Sequence, residues 1–345
     1  MGTQEHADCP RTRLREQILR ALGMPSDLHV DTPEVTYGRT WTRDGIAGVE
    51  LSWHDTEAWL LKPAGHIGTD LPAVLLLHGH DGVKFYGKEK VADGPDGPAP
   101  GILDLRQRAY DGRAVAASLV GAGFAVLVHD VFPWGSRRVD WDDFPERAKN
   151  AARMYNNPQY TDRDRYEAAA REHEHGLAKI AALTGTSLAG RILQEDLLAL
   201  QILGTIPGID PTRIATSGFS GGGARVAHLS AAAELKAAVI TAMVSTFTDV
   251  ADGHADDTTW LMITPGLPAV CDWPDVVASA APMPLLVQFA QEDSHFGVAG
   301  MRDAEASLQQ TYGESNSLVT QWFPGRHRFT APMQDAAVLW LQATV

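Results

Sequence analysis

The chain has 345 residues, 44% of them hydrophobic, enough to bury a large core as one elaborated α/β domain or two small ones, and a single domain over 1–345 is the expectation. Its 29 Lys and Arg face 43 Asp and Glu, and the formal charge of −14 repels phosphate backbones and anionic membranes, which argues against nucleic-acid and membrane partners while serving solubility. Two cysteines, Cys9 and Cys271, make no disulfide framework, residues 1–20 carry charge instead of a leader's apolar core, and no stretch approaches about 18 apolar residues, so a cytoplasmic protein is expected.

Leu14, Ile18, Leu19 and Leu22 recur at helical spacing over residues 11–22, and Gly23 with Pro25 stops the run, giving a leading amphipathic helix. Residues 46–53 and 58–62 read as strands, followed by the continuous apolar run 73–77, the mark of a strand covered on both faces. The same pattern returns at 125–128, 213–216, 237–240, 285–289 and 318–323, with helical stretches between. Strands alternating with helices imply right-handed crossovers. The expected architecture is a doubly wound, mostly parallel sheet of about eight strands with helices on both faces and a ligand site beyond the strands' carboxyl ends. Residues 132–190, rich in charge and in aromatics such as Trp134, Trp141, Tyr155, Tyr160 and Tyr166, interrupt the alternation before the helix 191–203 and read as a lid-like insertion.

The chemistry-bearing motifs fall at strand ends. After 73–77 comes His78-Gly79-His80-Asp81-Gly82, whose glycines let main chain approach a ligand and whose His80 N–H is a candidate oxyanion donor. After 213–216 comes Gly218-Phe219-Ser220-Gly221-Gly222-Gly223, opening an apolar helix through Ala224, Val226 and Leu229. Such a string alone also fits a phosphate-binding or merely tight turn. Strand before and helix after make it a nucleophile elbow, with Ser220 as nucleophile and the Gly221 N–H as second oxyanion donor. A serine hydroxyl needs an imidazole to take its proton and a carboxylate to hold that imidazole. The exit loop of the strand 285–289 offers Glu292 and Asp293, of which Asp293 lies where the loop turns back across the sheet; His295 beside it reads as loop support. The last strand leads through Pro324-Gly325 to His327, the expected base, before a closing helix from Ala331.

Other signals are weaker. His173-Glu174-His175 has a metal-like look, but His-x-His on a helix points the rings to different faces and no further ligand set follows, so surface histidines are expected and no metal. The triple glycine lacks a phosphate loop's Lys-Ser/Thr ending, and no cofactor is indicated. Trp134, Phe219, His254 and Trp260 are the candidate substrate-binding residues, with Phe247 and Trp273 as further members of an aromatic wall; lid packing is the competing reading for each.

Taken together, these motifs resemble the dienelactone hydrolase and acetyl xylan esterase-like branch of the α/β-hydrolases over nearly the whole chain. The resemblance rests on His78 to Gly82, Asp130 with Phe132-Pro133-Trp134-Gly135-Ser136-Arg137-Arg138, Ser187 to Gly190 with Asp196, Asp210 to Ile214, the elbow, Pro265-Gly266-Leu267, Asp272-Trp273-Pro274-Asp275, and the Asp293 and His327 loops. It implies ester cleavage through an acyl-enzyme. Two departures narrow it: Ser220 stands where dienelactone hydrolases carry cysteine, which favours esters, and Gly221 stands where glucuronoyl esterases carry arginine, which disfavours uronate esters. With no leader read in the sequence, small acylated sugars, lactones or specialised metabolites are expected in place of polymeric xylan. The same triad also suits C–C hydrolase, lyase or cyclase chemistry, a scaffold that has lost catalysis is the reading from another class, and a homo-oligomer is left open.

Overall fold

The computed structural model describes residues 10–25 and 32–345; Cys9 lies outside the described residues. Among the described residues nine strands, β1 (Thr36–Arg43), β2 (Ile46–Trp53), β3 (Thr56–Pro63), β4 (Leu71–Leu77), β5 (Ala125–His129), β6 (Ile209–Phe219), β7 (Ala237–Thr241), β8 (Leu285–Ala290) and β9 (Leu318–Phe323), form one sheet in the order β1-β2-β3-β5-β4-β6-β7-β8-β9. The pairs β1–β2, β2–β3 and β3–β5 are antiparallel, and every pair from β5–β4 to β8–β9 is parallel. From β4 the chain first builds outward to β5 and then returns to β4's other side for β6. That reversal makes a topological switch point, with a crevice beyond the carboxyl ends of β4 and β6.

The helices are α1 (Pro10–Ala21), α2 (Pro100–Ala109), α3 (Val115–Gly121), α4 (Glu146–Ala151), α5 (Asp162–Leu183), α6 (Leu188–Thr205), α7 (Gly221–Ala232), α8 (Phe247–Asp249), α9 (Trp273–Val277), α10 (Val298–Tyr312) and α11 (Ala331–Thr344). Side chains alternate across a strand, so each central strand feeds two cores. Leu75, Leu77, Leu285 and Val287 pack with Ile18 of α1, Ile192 of α6, Leu229 of α7 and Met301 of α10. Val74, Leu76 and Leu286 pack on the other side with Leu105 of α2, Leu119 of α3 and Leu341 of α11. The apolar runs that lack alternation are thus explained by double coverage, as expected from the sequence.

One difference from the expected eight strands has a simple cause. The ninth strand, β1, reads TYGRTWTR and is exposed over nearly its length, so it joins the sheet through main-chain pairing and carries no apolar alternation to betray it. The insertion is not an open loop: Phe144, Ala148 and Ala152 around α4 pack on Tyr166, Ala169 and Ala170 of α5 as a small core of its own. The N-terminus of α5 is fixed by a capping box in which Thr161 and Asp164 each accept from the other's backbone N–H. Among the described residues no helix is long and apolar enough to cross a membrane.

α6 and α7 are joined through a buried charge cluster. Arg225 donates to Asp196 Oδ1 at 2.6 Å and Oδ2 at 3.1 Å, and His129 Nε2 lies 3.0 Å from Oδ1. Burial works to raise the Asp196 carboxyl, and Arg225 with His129 outweighs it and holds it low. Removing one partner leaves the other charge buried and uncompensated. Asp196→Ala is therefore expected to lower the unfolding free energy by about 3–5 kcal/mol in urea titrations, and a change under about 1 kcal/mol would show that the cluster is not stabilising.

Candidate active site

The strand register brings the proposed groups together. Leu77 of β4 pairs with Gly218 of β6, so the loops leaving these two strands start side by side, one carrying His80 and the other Ser220. Ala290 of β8 pairs with Phe323 of β9, which does the same for the loops of Asp293 and His327.

Ser220 has φ 55° and ψ −128°, a conformation that side chains rarely adopt. The turn is possible because its neighbours lack a Cβ. One added at Gly222 would lie 2.2 Å from the Leu77 carbonyl oxygen, and one at Gly218 would lie 2.3 Å from the Gly222 carbonyl carbon. The elbow aims Ser220 Oγ at His327 Nε2, 2.8 Å away, and His327 Nδ1 lies 2.8 Å from Asp293 Oδ2. Asp293 Oδ1 accepts the His295 backbone N–H at 2.8 Å. Burial pushes the Asp293 carboxyl up, but the His295 and His327 donors outweigh it and hold the group well below the usual carboxylate range. Asp293 is thus a charged acceptor that fixes the proton of His327 on Nδ1 and leaves Nε2 free to accept from serine. Glu292, the other carboxylate of that loop, is exposed.

On the other side of Ser220, His80 N lies 2.9 Å from where a Cβ on Gly221 would stand, so the His80 and Gly221 backbone donors are neighbours. Gly221 opens α7 and its N–H has no intrahelical partner. Among the described residues no carbonyl accepts from His80 N. Its direction is set from below by Lys90, which is fully buried and donates to the Gly79 oxygen at 2.8 Å and the His80 oxygen at 3.0 Å. In a trans peptide N–H and C=O point oppositely, so holding the Gly79 carbonyl down turns the His80 N–H up toward the cleft.

No family model matches the chain, and no curated protein matches it in sequence. Solved structures match it in fold. A glucuronoyl esterase from Solibacter usitatus has a TM-score of 0.66 at 12% identity, covering 100% of this chain and 94% of that one. A promiscuous CE15 esterase from the marine bacterial metagenome has 0.60 at 13%, covering 100% and 94%. Acetyl xylan esterase 1 from Thermoanaerobacterium sp. JW/SL YS485 has 0.56 at 15%, covering 98% and 99%. The chain has the α/β-hydrolase fold.

Within this α/β-hydrolase scaffold Ser220 and His327 open on a cleft of about 640 Å³ walled by α2, α5 and the loop before Leu261. Of the expected substrate-binding residues, Phe219 and Trp260 line it. Phe219 packs its ring 4.9 Å from that of His327, and Trp260 Nε1 donates to His175 Nδ1 at 3.2 Å, linking the loop to α5. Trp134 and His254 are not brought to the cleft wall. Trp134 is 1% exposed, lodged edge-on beneath His78 and His80, because the β5 exit loop folds under the His80 loop and not over it. His254 turns instead toward Asp249, 3.7 Å away, beside the loop after Asp293. Trp273 is fully buried with its Nε1 on the Met243 carbonyl, and Phe247 packs against it, so neither forms an aromatic wall.

His295 stacks on His327 at 4.0 Å between ring centres. With Asp293 these two imidazoles are the described residues whose donor atoms crowd closely enough for a metal ion, and Asp293 is already engaged by His327 Nδ1 and by the His295 backbone N–H. The His173-Glu174-His175 stretch divides: His173 packs on Phe144 in the insertion, His175 lines the cleft, and Glu174 is buried against His80. Lys90 and Glu174 are not among the site residues expected from the sequence. A lone lysine on a short turn carries no signal, whereas Glu167 and Glu174, two helical turns apart beside the buried Ala170 and Ala178, mark one inward face of α5.

Burial pushes the Lys90 amine down to about 8, with Asp81 acting in the opposite sense. An unfolded lysine keeps its proton to about 10.5, so between those values the unfolded chain binds more protons and folding gains with rising pH. The stability of the parent relative to Lys90→Met is expected to rise by roughly 3 kcal/mol from pH 7.5 to 10.5 in urea titrations. A pH-independent difference between the two would show that the Lys90 amine holds its proton in the fold as firmly as in the unfolded chain.

Proposed function

We propose that this chain is a serine hydrolase that cleaves a carboxylic ester or lactone of a small molecule through an acyl-enzyme. The observation that carries the reading is the unbroken relay of 2.8 Å and 2.8 Å from Ser220 through His327 to Asp293, beside two backbone N–H groups without internal acceptors. The esterases that share the fold support it as well.

In this mechanism the Ser220 hydroxyl passes its proton to His327 Nε2 as Oγ attacks the ester carbonyl. Asp293, held ionised, stabilises the imidazolium without taking its proton. Negative charge gathers on the former carbonyl oxygen, where the N–H groups of His80 and Gly221 meet it, helped by the N-terminal end of α7. His327 then protonates the leaving alcohol, whose bond to the acyl carbon breaks, and Ser220 keeps the acyl group. A water gives its proton to His327 and attacks in turn, and the acid leaves as serine recovers its proton. No step calls for a cofactor. Gly221 in place of an arginine points away from uronate esters and toward acylated sugars, lactones or aryl esters, and the mixed polar and apolar wall suits a substrate of that size.

Ser220→Ala is expected to lower kcat on p-nitrophenyl acetate by at least about 10³-fold, with an unchanged Tm and no labelling by a fluorophosphonate that modifies Ser220 in the parent. Parent-like turnover by that variant would refute the nucleophile. Asp293→Asn, which keeps the shape but spoils the tautomer, is expected to cost roughly 10³ to 10⁴ in kcat while leaving KM near the parent's. Mass spectrometry of the parent quenched during turnover is expected to find the substrate's acyl group on Ser220. A turnover that never acylates Ser220 would instead favour lyase or cyclase chemistry.

A further inference from the structure

We propose that Glu174 is a positioning residue for the His80 main-chain donor, so that the insertion helix α5 forms the outer half of the oxyanion hole. This rests on the ester-hydrolase reading above. Both Glu174 carboxylate oxygens lie 3.0 Å from His80 Nε2, and the Gly82 backbone N–H donates to His80 Nδ1 at 3.1 Å. Because Nδ1 accepts, the ring proton sits on Nε2 and the ring is neutral, in accord with burial and Lys84, which lower its pKa. The imidazole is therefore held at both nitrogens, and with it the orientation of the residue whose N–H faces the cleft.

α5 grips the same loop a second time. Glu167, seven residues earlier and on the same helix face, accepts the backbone N–H groups of Lys84 and Phe85, each at 2.8 Å. Lys90 fixes the adjoining carbonyls from beneath, so the His80 segment is clamped between the sheet side and the insertion. A bare carboxylate beside an oxyanion would oppose catalysis through like-charge repulsion. Lys84 removes that objection: its Nζ lies 2.8 Å from Glu174 Oε2 with both side chains buried, and it leaves the pair close to neutral. Burial tends to raise the Glu174 carboxyl, and the His80 and Lys84 donors overcome it and keep the group well below the usual carboxylate range. Glu174 also lines the cleft that holds Ser220, so the clamp acts at the reacting end of the molecule.

The positioning role separates from a merely structural one in the split between transition-state and ground-state effects. Losing one oxyanion donor outright costs about 10²–10³ in kcat, so misorienting it through Glu174→Ala is expected to cost roughly 10- to 100-fold in kcat on p-nitrophenyl acetate, with KM within about twofold. The Ki of phenylboronic acid, whose serine adduct places a tetrahedral oxygen in the hole, is expected to rise by a similar factor, while inhibition by the product carboxylate stays as in the parent. Glu174→Gln, which still accepts from His80 Nε2, is expected to recover most of the kcat, and it serves as the folded comparison if the alanine variant loses structure. Parent-like kcat in either the alanine variant or, where that fails to fold, in a Glu174→Leu variant would overturn the inference, as would equal losses in boronate and product binding. Inertness of the parent itself toward ester and boronate is the separate result that would remove the hydrolase reading, and this inference with it.

Discussion

The site depends on one pairing: Leu77 of β4 against Gly218 of β6. Parallel strands in this register end at the same level, so the loops that follow have to share a few ångströms of space above the sheet. Sharing is possible only where backbone can touch backbone. The gap of 2.2 Å between the Leu77 oxygen and a hypothetical Cβ on Gly222 measures how close that approach is. A one-residue slip would exchange the faces of every side chain on β6 and carry Ser220 out of reach of His327. The strained backbone at Ser220 is tolerated because β6 and α7, both buried, determine it from either side.

A second consequence is the unusual number of buried cations near this edge. Residues 78–92 run through protein without ladder partners for much of their backbone, and buried polar groups demand partners. Side chains supply them. Lys90 serves two carbonyls, Arg106 serves those of Glu89, Lys90 and Ala92, and Lys88 pairs with Asp130 while Arg225 takes the His78 carbonyl. Buried charges are weak as a source of net stability, because desolvation opposes their attraction. They do specify geometry, and geometry is what a preorganised donor at His80 requires.

The insertion extends the same logic outward. Its small aromatic core lets α5 stand as an independent wall, and the two glutamates on its inner face tie that wall to the His80 loop. The opposite wall, from Asp256 to Trp260, meets α5 through the Trp260–His175 hydrogen bond. One helix thus meets both the cleft's opposite wall and the His80 loop.

Much of this was determined by the sequence alone, since the signals are local. Doubly buried strands such as 73–77 and 285–289 announce themselves by unbroken apolar runs, and the order of elbow, acid loop and histidine loop follows the fold's connectivity. β1 was hidden because an exposed edge strand is held by backbone pairing, which composition does not encode. Aromatic and histidine side chains in long connections look like substrate walls, which makes Trp134 and His254 candidates, but tertiary packing decides: the path of the β5 exit loop buries the first beneath His80, and the connection after β7 turns the second toward Asp249. The converse holds for Glu174 and Lys90: one stands in a histidine-flanked helix and the other in a charged turn, and only packing across about ninety and eleven residues of chain makes them partners of His80 and Gly79. Periodicity and motif order decide which elements form and where chemistry collects; long-range contact decides which side chains reach it, because desolvation and hydrogen-bond geometry are settled only when distant segments meet.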